Sequence, residues 1–341
     1  MTTQKPKRVT LADVARAAGV SNAAVSLILN DKPGSRLSEE TSHKVKQVAA
    51  ELGYRANPAA QSLRLGKTKT LGFISDNVTV TRYASGMITG ILRTADRLGH
   101  TVLISETFGS ELGLGKAVEQ LRHREVDGLI LGFMDSRARN LSVDFGGLPV
   151  VLVNSLDPAI GLSVMPDEAD AGERAVKRIV ESGVRNVAVI GHLQSAQKEP
   201  ASYPSITRRM NAIYQGLKDS NIEIIGEWLL EEWNPDDGYK ATARLLESEL
   251  KPDAIICAND RVAMGVYQAL MEKNLEPGKD ISVLSFDDED IADYLRPGLT
   301  TMRLPYEEMG SRAVALLLEE AEILEESMIY MPLIERESIV G

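Results

Sequence analysis

The chain is poor in the residues that carry covalent and metal chemistry: its 341 residues include one cysteine and four histidines. A single cysteine excludes an intrachain disulfide and any multi-cysteine metal site, and Cys257 within AIICAND reads as a buried strand residue rather than a nucleophile. No run of about 18 apolar residues occurs, which removes the ordinary membrane-spanning helix. The opening MTTQKPKRVTLADV lacks the apolar core and small-residue cleavage site of a secretory signal, so a cytoplasmic location is expected. Nucleophile elbow, phosphate loop and dinucleotide fingerprint are all missing. Asp287-Asp288-Glu289-Asp290 is the acidic run that suggests a metal, but consecutive residues diverge and no histidine or second carboxylate group matches it by spacing. Neither an enzyme nor a resident cofactor or metal is therefore expected. A heptad-repeat tail is also missing at ERESIVG, which argues against a coiled-coil tetramer.

What is present is an uneven distribution of charge. With 43% hydrophobic and 26% charged residues the chain suits two or three globular domains, and its formal net charge is −11. Residues 1–67 nevertheless hold 11 Lys or Arg against 5 Asp or Glu, whereas the remainder holds 27 against 44. A polyanion is attracted to the first segment and repelled by the second, because Lys and Arg that neutralise phosphates release counterions. A merely solvated basic surface would carry the same charge.

The basic segment begins with two short apolar-periodic runs. Thr10 precedes LADVARAA as a helix cap, with Asp13 placed to favour the positive end of the helix dipole. Leu11, Val14, Ala15 and Ala18 share one face of that helix. Gly19 turns the chain, Val20 plugs the space between helices, and Ser21 caps NAAVSLILN, whose inward residues are Val25, Ile28 and Leu29. Ser38, followed by Glu39, Glu40 and Thr41, starts a third helix that runs to Gly53 and is expected to bury Val45, Val48, Ala49 and Leu52. This is a helix-turn-helix pattern, with a small structural bundle as the alternative. In such a motif the second helix reads the major groove, and its outward row is Ser21, Asn22, Ala23, Ser26, Leu27 and Asn30. Asn22 can hydrogen-bond a base, whereas Ala23 and Leu27 offer only apolar contact. Beyond it, Asn57 and Pro58 can start a helix of only two turns, carrying Ala60, Leu63 and Arg64, with Lys67 and Lys69 following. It is either a hinge that folds against DNA or a plain linker.

VTLADVARAAGVSNAAVSLILN, VAAELGYRANPAAQSLR and TKTLGFIS resemble the start of a LacI/GalR-family bacterial transcriptional repressor. The likeness continues in IVESGVRNVAVIG, DAIICANDRVAMG, DISVLSFDDEDIA and LTTMRLPYEEMG. The resemblance implies a homodimer whose paired headpieces bind a near-palindromic DNA operator, with Leu63 of each hinge helix inserting at its centre. The DNA-contacting set it implies includes Thr10 and the hinge residues Asn57, Ala60, Leu63 and Arg64. Leu27 departs from the family, where that position is often polar. The expected organisation is a headpiece over 1–56, a hinge and linker over 57–69, and a two-lobed body over 70–341.

From residue 70 apolar runs alternate with amphipathic segments: TLGFIS, TVLIS, GLILG, PVVLV, NVAVIG, DAIICA and ISVLSF. Strict alternation of this kind predicts parallel sheets wrapped by helices on both faces. Four runs precede Asp167 and three lie between Asp167 and Asp287, so two doubly wound α/β lobes with a cleft at the carboxyl ends of the strands are expected. The family implies the same body, periplasmic-binding-protein-like (type I), with more than one crossing between lobes.

Polar residues just past the strand ends are the cleft candidates: Asp76, Asn77, Asn154, Asn259, Asp260, Asp287 and Asp288. Such groups suit a sugar, sugar phosphate or polyol, which needs hydrogen-bond partners around its hydroxyls and an aromatic face against its C–H surface. The resemblance carries effector contacts onto Asn154, Arg209, Trp233, Asn259 and Asp287, with Met87 and Tyr306 on the lobe nearer the DNA. Asn259-Asp260 could serve only as a helix cap, and Trp233 only as core. Of Arg208 and Arg209 one can readily face the cleft, because neighbours on a helix point about 100° apart, and the family pattern selects Arg209. The long GHLQSAQKEPASYPS segment ahead of them is expected to shape ligand choice. A transport-type sugar receptor with the same body would have no use for the basic headpiece. The expected function is a DNA-binding repressor of carbohydrate or polyol genes, switched by a small effector between two lobes.

Overall fold

The computed structural model describes residues 9–29, 38–54, 66–318 and 326–340, excepting the side chain of Tyr83. Asn30, Asn57, Ala60, Leu63 and Arg64 lie outside the described residues. The chain divides into two compact units, Met1–Thr68 and Lys69–Gly341.

The first unit packs α1 (Leu11–Ala18), α2 (Asn22–Leu29) and α3 (Glu39–Glu51) around Val14, Ala15, Ala18, Val25, Ile28, Val45 and Ala49. Thr10 and Asp13 form a reciprocal capping box: the Thr10 hydroxyl accepts from Asp13 N at 3.3 Å, and Thr10 N donates to the Asp13 carboxylate at 3.0 Å. Gly19 closes α1 in the left-handed region at φ 71°, which its missing Cβ allows without steric cost. Leu52 departs from expectation, since it is 40% exposed. The apolar face of α3 runs out at Ala49, and the Gly53 turn brings Tyr54 back to cover that end of the core.

The second unit contains two six-stranded sheets. The first lobe orders its strands β11-β5-β4-β3-β1-β2, all parallel, from β1 (Thr70–Asp76), β2 (Thr101–Glu106), β3 (Gly128–Ala138), β4 (Val150–Leu156), β5 (Ser163–Pro166) and β11 (Glu326–Ile329). In the second lobe the order is β12-β10-β9-β8-β6-β7, from β6 (Asn186–Leu193), β7 (Glu223–Leu230), β8 (Ala254–Cys257), β9 (Ser282–Asp287), β10 (Thr300–Arg303) and β12 (Leu333–Ile334), which pairs antiparallel. Helices α4 (Ser85–Arg97) and α10 (Tyr306–Leu318) cover one face of the first sheet and α5 (Glu111–His123) the other. In the second lobe α6 (Glu168–Glu181) and α7 (Pro204–Asp219) share one face, with α8 (Pro235–Glu247) and α9 (Asp260–Glu272) opposite. The central strand runs are apolar because both faces of each sheet are buried there.

The chain crosses between lobes three times: from β5 into α6, from β10 into α10, and from β11 to β12. On its return α10 lies so close to α4 that a Cβ on Gly90 would fall 1.9 Å from the Glu307 carbonyl oxygen, and one on Gly310 2.2 Å from that of Met87. Five strands escaped the apolar-run reading. The four-residue β5 ends in proline, β7 is a half-exposed edge containing Gly226, β10 is rich in threonine, and β11 and β12 are short edges.

Candidate functional site

In the first unit the outward row of α2 stands free of the core. Ser21, Asn22, Ala23 and Leu27 are exposed and Ser26 is half-buried, while the Ser21 hydroxyl accepts from Ala24 N at 3.1 Å and so fixes the start of the helix. Thr10 is exposed at the start of α1.

In the second unit the carboxyl ends of β3, β4, β6, β8 and β9 converge on a cavity of about 270 Å³ between the lobes. Asn154, Arg209, Trp233, Asn259, Asp287 and Tyr306 all line it. Two other candidates lie elsewhere. Met87 is fully buried in the first-lobe core beneath Gly132, and Asp76 lines a separate cavity of about 250 Å³ beside Arg139. Asn77 donates to Asp76, Asp288 pairs with Arg336 at 2.8 Å, and Asp260 is consumed internally by Thr301 Oγ1 and Glu289 N.

Arg209 organises the cavity. Its Nε and Nη2 each donate to Glu168 at 2.6 Å, and Nη1 donates to the Ala258 carbonyl at 2.5 Å. The guanidinium carbon lies 4.3 Å from the Phe286 ring centre and 5.7 Å from that of Trp233. Burial opposes the Arg209 charge, but Glu168, Asp287 and Asp260 outweigh it and hold the pKa above its usual value. Three of its five N–H groups are thereby used, leaving one on each terminal nitrogen. Glu168 escaped the sequence reading. Its only signal was an acid in the first turn of a helix just past a strand end.

The asparagines are oriented by their own backbone surroundings. Asn154, in the left-handed region at φ 59°, donates its amide to the carbonyls of Phe133 and Met134, so its oxygen remains to accept. Asn259 caps α9, its Oδ1 accepting from Val262 N at 2.9 Å, so its amide nitrogen remains to donate. Trp233 donates to the Gly191 carbonyl at 2.5 Å and packs against both second-lobe cores.

Asp287 carries the unmet hydrogen-bond demand of the site. Its side chain is 8% exposed, its Oδ1 has no hydrogen-bond partner, and its backbone sits at φ 105°, where a residue with a Cβ is strained. Burial pushes its carboxyl up to about 7 against the pull of Arg209, whose Nη2 is 3.7 Å away. The other lining cations have partners: Arg261 meets Glu289 at 3.0 Å and Arg137 meets Asp135 at 2.8 Å.

The family model of bacterial regulatory proteins, lacI family, matches residues 10–57, and that of a periplasmic binding protein-like domain matches 176–339. The ribose operon repressor of Haemophilus influenzae is 30% identical over 319 residues, covering 91% of each chain. The chain belongs to the lacI family. The HTH-type transcriptional repressor PurR of Mannheimia succiniciproducens is 29% identical, again over 91% of each chain. A Lac repressor dimer solved with operator and the anti-inducer ONPF is 25% identical, covers 98% of this chain and 100% of that one, and superposes with a TM-score of 0.74. This family member is a DNA-binding transcriptional regulator that joins a helix-turn-helix headpiece to an effector-binding body, and its relatives are regulators rather than enzymes.

Proposed function

We propose that this regulator represses carbohydrate or polyol genes as a homodimer on a near-palindromic operator, and that an uncharged polyhydroxylated molecule in the interlobe cavity releases it. The observation that carries the ligand class is the buried Oδ1 of Asp287, which faces Arg209 at 3.7 Å but has no hydrogen-bond partner. The cavity wall offers both acceptors, on Asp287 and Asn154, and donors, on Asn259 and Arg209. A hydroxyl both donates and accepts, so vicinal hydroxyls satisfy such a mixed set. A phosphate or carboxylate brings only acceptors, and every guanidinium lining the cavity already has a carboxylate partner. The ribose operon repressor relatives fit this reading.

Dimerisation follows from the small headpiece, because two half-sites double the readout on a palindrome. Asp76, Met87 and Tyr306 belong to the same proposal through the first lobe. Met87 packs beneath the β3 residue Gly132, and Asp76 flanks the continuation of that strand, so both act through the position of β3 rather than by touching ligand. A thermal-shift screen against sugars, sugar phosphates, polyols and purine bases tests the assignment. A ligand at 100 times its Kd stabilises the fold by about 2.7 kcal/mol. Stabilisation by a neutral polyol or sugar is expected, and a response confined to phosphorylated sugars or purines would overturn the ligand class.

A further inference from the structure

Arg208 does not enter the cavity. Its guanidinium reaches from the second turn of α7, in the second lobe, to the first residue of β11, in the first. Nη1 donates to Glu326 Oε1 at 2.5 Å and Nη2 to Oε2 at 3.0 Å, a two-pronged pair whose side chains are 31% and 26% exposed. Such a fork fixes geometry as well as charge. Two further contacts join the same end of α7 to the first lobe. The Ser136 hydroxyl meets that of Ser205 at 2.6 Å, and the Arg137 guanidinium carbon lies 4.8 Å from the centre of the Tyr203 ring.

The segment Tyr203–Arg209 therefore does two things at once. Tyr203, Ser205, Ile206 and Arg209 form a wall of the cavity, while Tyr203, Ser205 and Arg208 touch the opposite lobe. Adjacent arginines about 100° apart on the helix divide the work. We propose that Arg208 is a positioning residue that clamps β11 to the start of α7 and holds the lobes closed, so that displacement of this one helical turn by a ligand at Arg209 is passed to the first lobe. The link to a ligand rests on the effector reading of the cavity; the clamp itself does not. A second interlobe pair, Arg82 to Asp290 at 3.0 Å, has side chains 84% and 53% exposed, and solvent screening leaves it little weight.

Closure can be read without any ligand by replacing Ser136 and Ser205 with cysteine and measuring the rate of cross-linking in a fixed glutathione buffer. The oxidant reaches the half-buried position 136 first and position 205 then closes the bridge, whereas the native Cys257 is buried and does not compete. Adding Arg208→Gln or Glu326→Gln to that variant is expected to slow cross-linking about fivefold, on the scale of one geometrically good ion pair. Adding Arg82→Gln should leave the rate nearly unchanged. The exchanged pair, Arg208→Glu with Glu326→Arg, should recover most of the rate, which a merely local loss of stability would not allow. An unchanged rate in both glutamine variants, or no recovery in the exchanged pair with the fold intact by circular dichroism, would overturn the clamp. Because no effector enters these measurements, their failure is distinct from an error in the ligand class.

Discussion

The guanidinium of Arg209 and the carboxylate of Glu168 face each other through two parallel hydrogen bonds of 2.6 Å, with both side chains 3% exposed. Removing one partner of such a pair leaves an uncompensated buried charge, at a cost of about 3–5 kcal/mol. Glu168→Ala should therefore lower the stability of the body by that amount in urea denaturation, and Glu168→Gln by less, since its amide oxygen still accepts. A loss below about 1 kcal/mol in the alanine variant would mean that Ala258 and Asp287 alone can hold the arginine.

Asp287 makes stability depend on pH in a direction opposite to that of a salt-bridged carboxylate. Its folded pKa of about 7 lies above the unfolded value, near 3.9. Below about pH 4 both states hold the proton; between about 4 and 7 the unfolded chain gives it up first, and the folded state loses stability until both are ionised. Asp287→Asn removes this penalty. The difference in melting temperature between Asp287→Asn and the parent protein should grow from pH 5 to pH 8, and a difference independent of pH would place the titration elsewhere.

The same carboxylate couples pH to the ligand. A hydroxyl that donates to Asp287 favours its ionised form, so binding expels a proton below about pH 7. Affinity for the neutral polyol or sugar found by screening is expected to rise from pH 6 to pH 8 and then level off. Calorimetry in buffers of different ionisation enthalpy would detect the released proton at pH 6, and none released would contradict a donated hydrogen bond at Asp287.

The parts of the molecule that could be read from sequence are those whose constraint is local. Strands such as TLGFIS and DAIICA declare themselves because both faces of a parallel sheet are buried, and the Thr10-Asp13 box because its two members are three residues apart. The edge strands β7, interrupted by Gly226, and β11, only four residues long, carry no such signal, whereas the edge strand β2 still shows as TVLIS. In the cavity, serving as cap or core does not remove a residue from the lining. Asn259 caps α9 with its oxygen while its residue lines the cavity, and Trp233 packs on the cores while lining the same space. Glu168 and the Ser136–Ser205 bridge were illegible because their partners lie 41 and 69 residues away, and only the fold joins them.

Trp233 and Trp228 are the two tryptophans, which allows Trp233 to report on the cavity. In a Trp228→Phe background, the fluorescence remaining should change on addition of the effector found by screening. Trp233→Phe should lose about 1 kcal/mol with the Gly191 hydrogen bond. Trp233→Ala should abolish ligand stabilisation while sparing operator binding. Undiminished ligand affinity in the alanine variant would assign the ring to the core alone.

Leu63 supplies the last test, resting on the family pattern of the hinge. An apolar side chain wedged between base steps kinks DNA only where those steps can be unstacked, so its contribution depends on sequence, whereas the contribution of Lys and Arg to phosphates does not. Leu63→Ala should weaken binding to the specific operator about tenfold or more and leave binding to random duplex, and the salt dependence of both, nearly unchanged. Arg64→Gln should do the reverse, weakening both duplexes alike and lowering the salt slope by about one. Equal losses on operator and random DNA in the Leu63 variant, measured at matched salt, would remove the wedge and leave the hinge as an electrostatic tether.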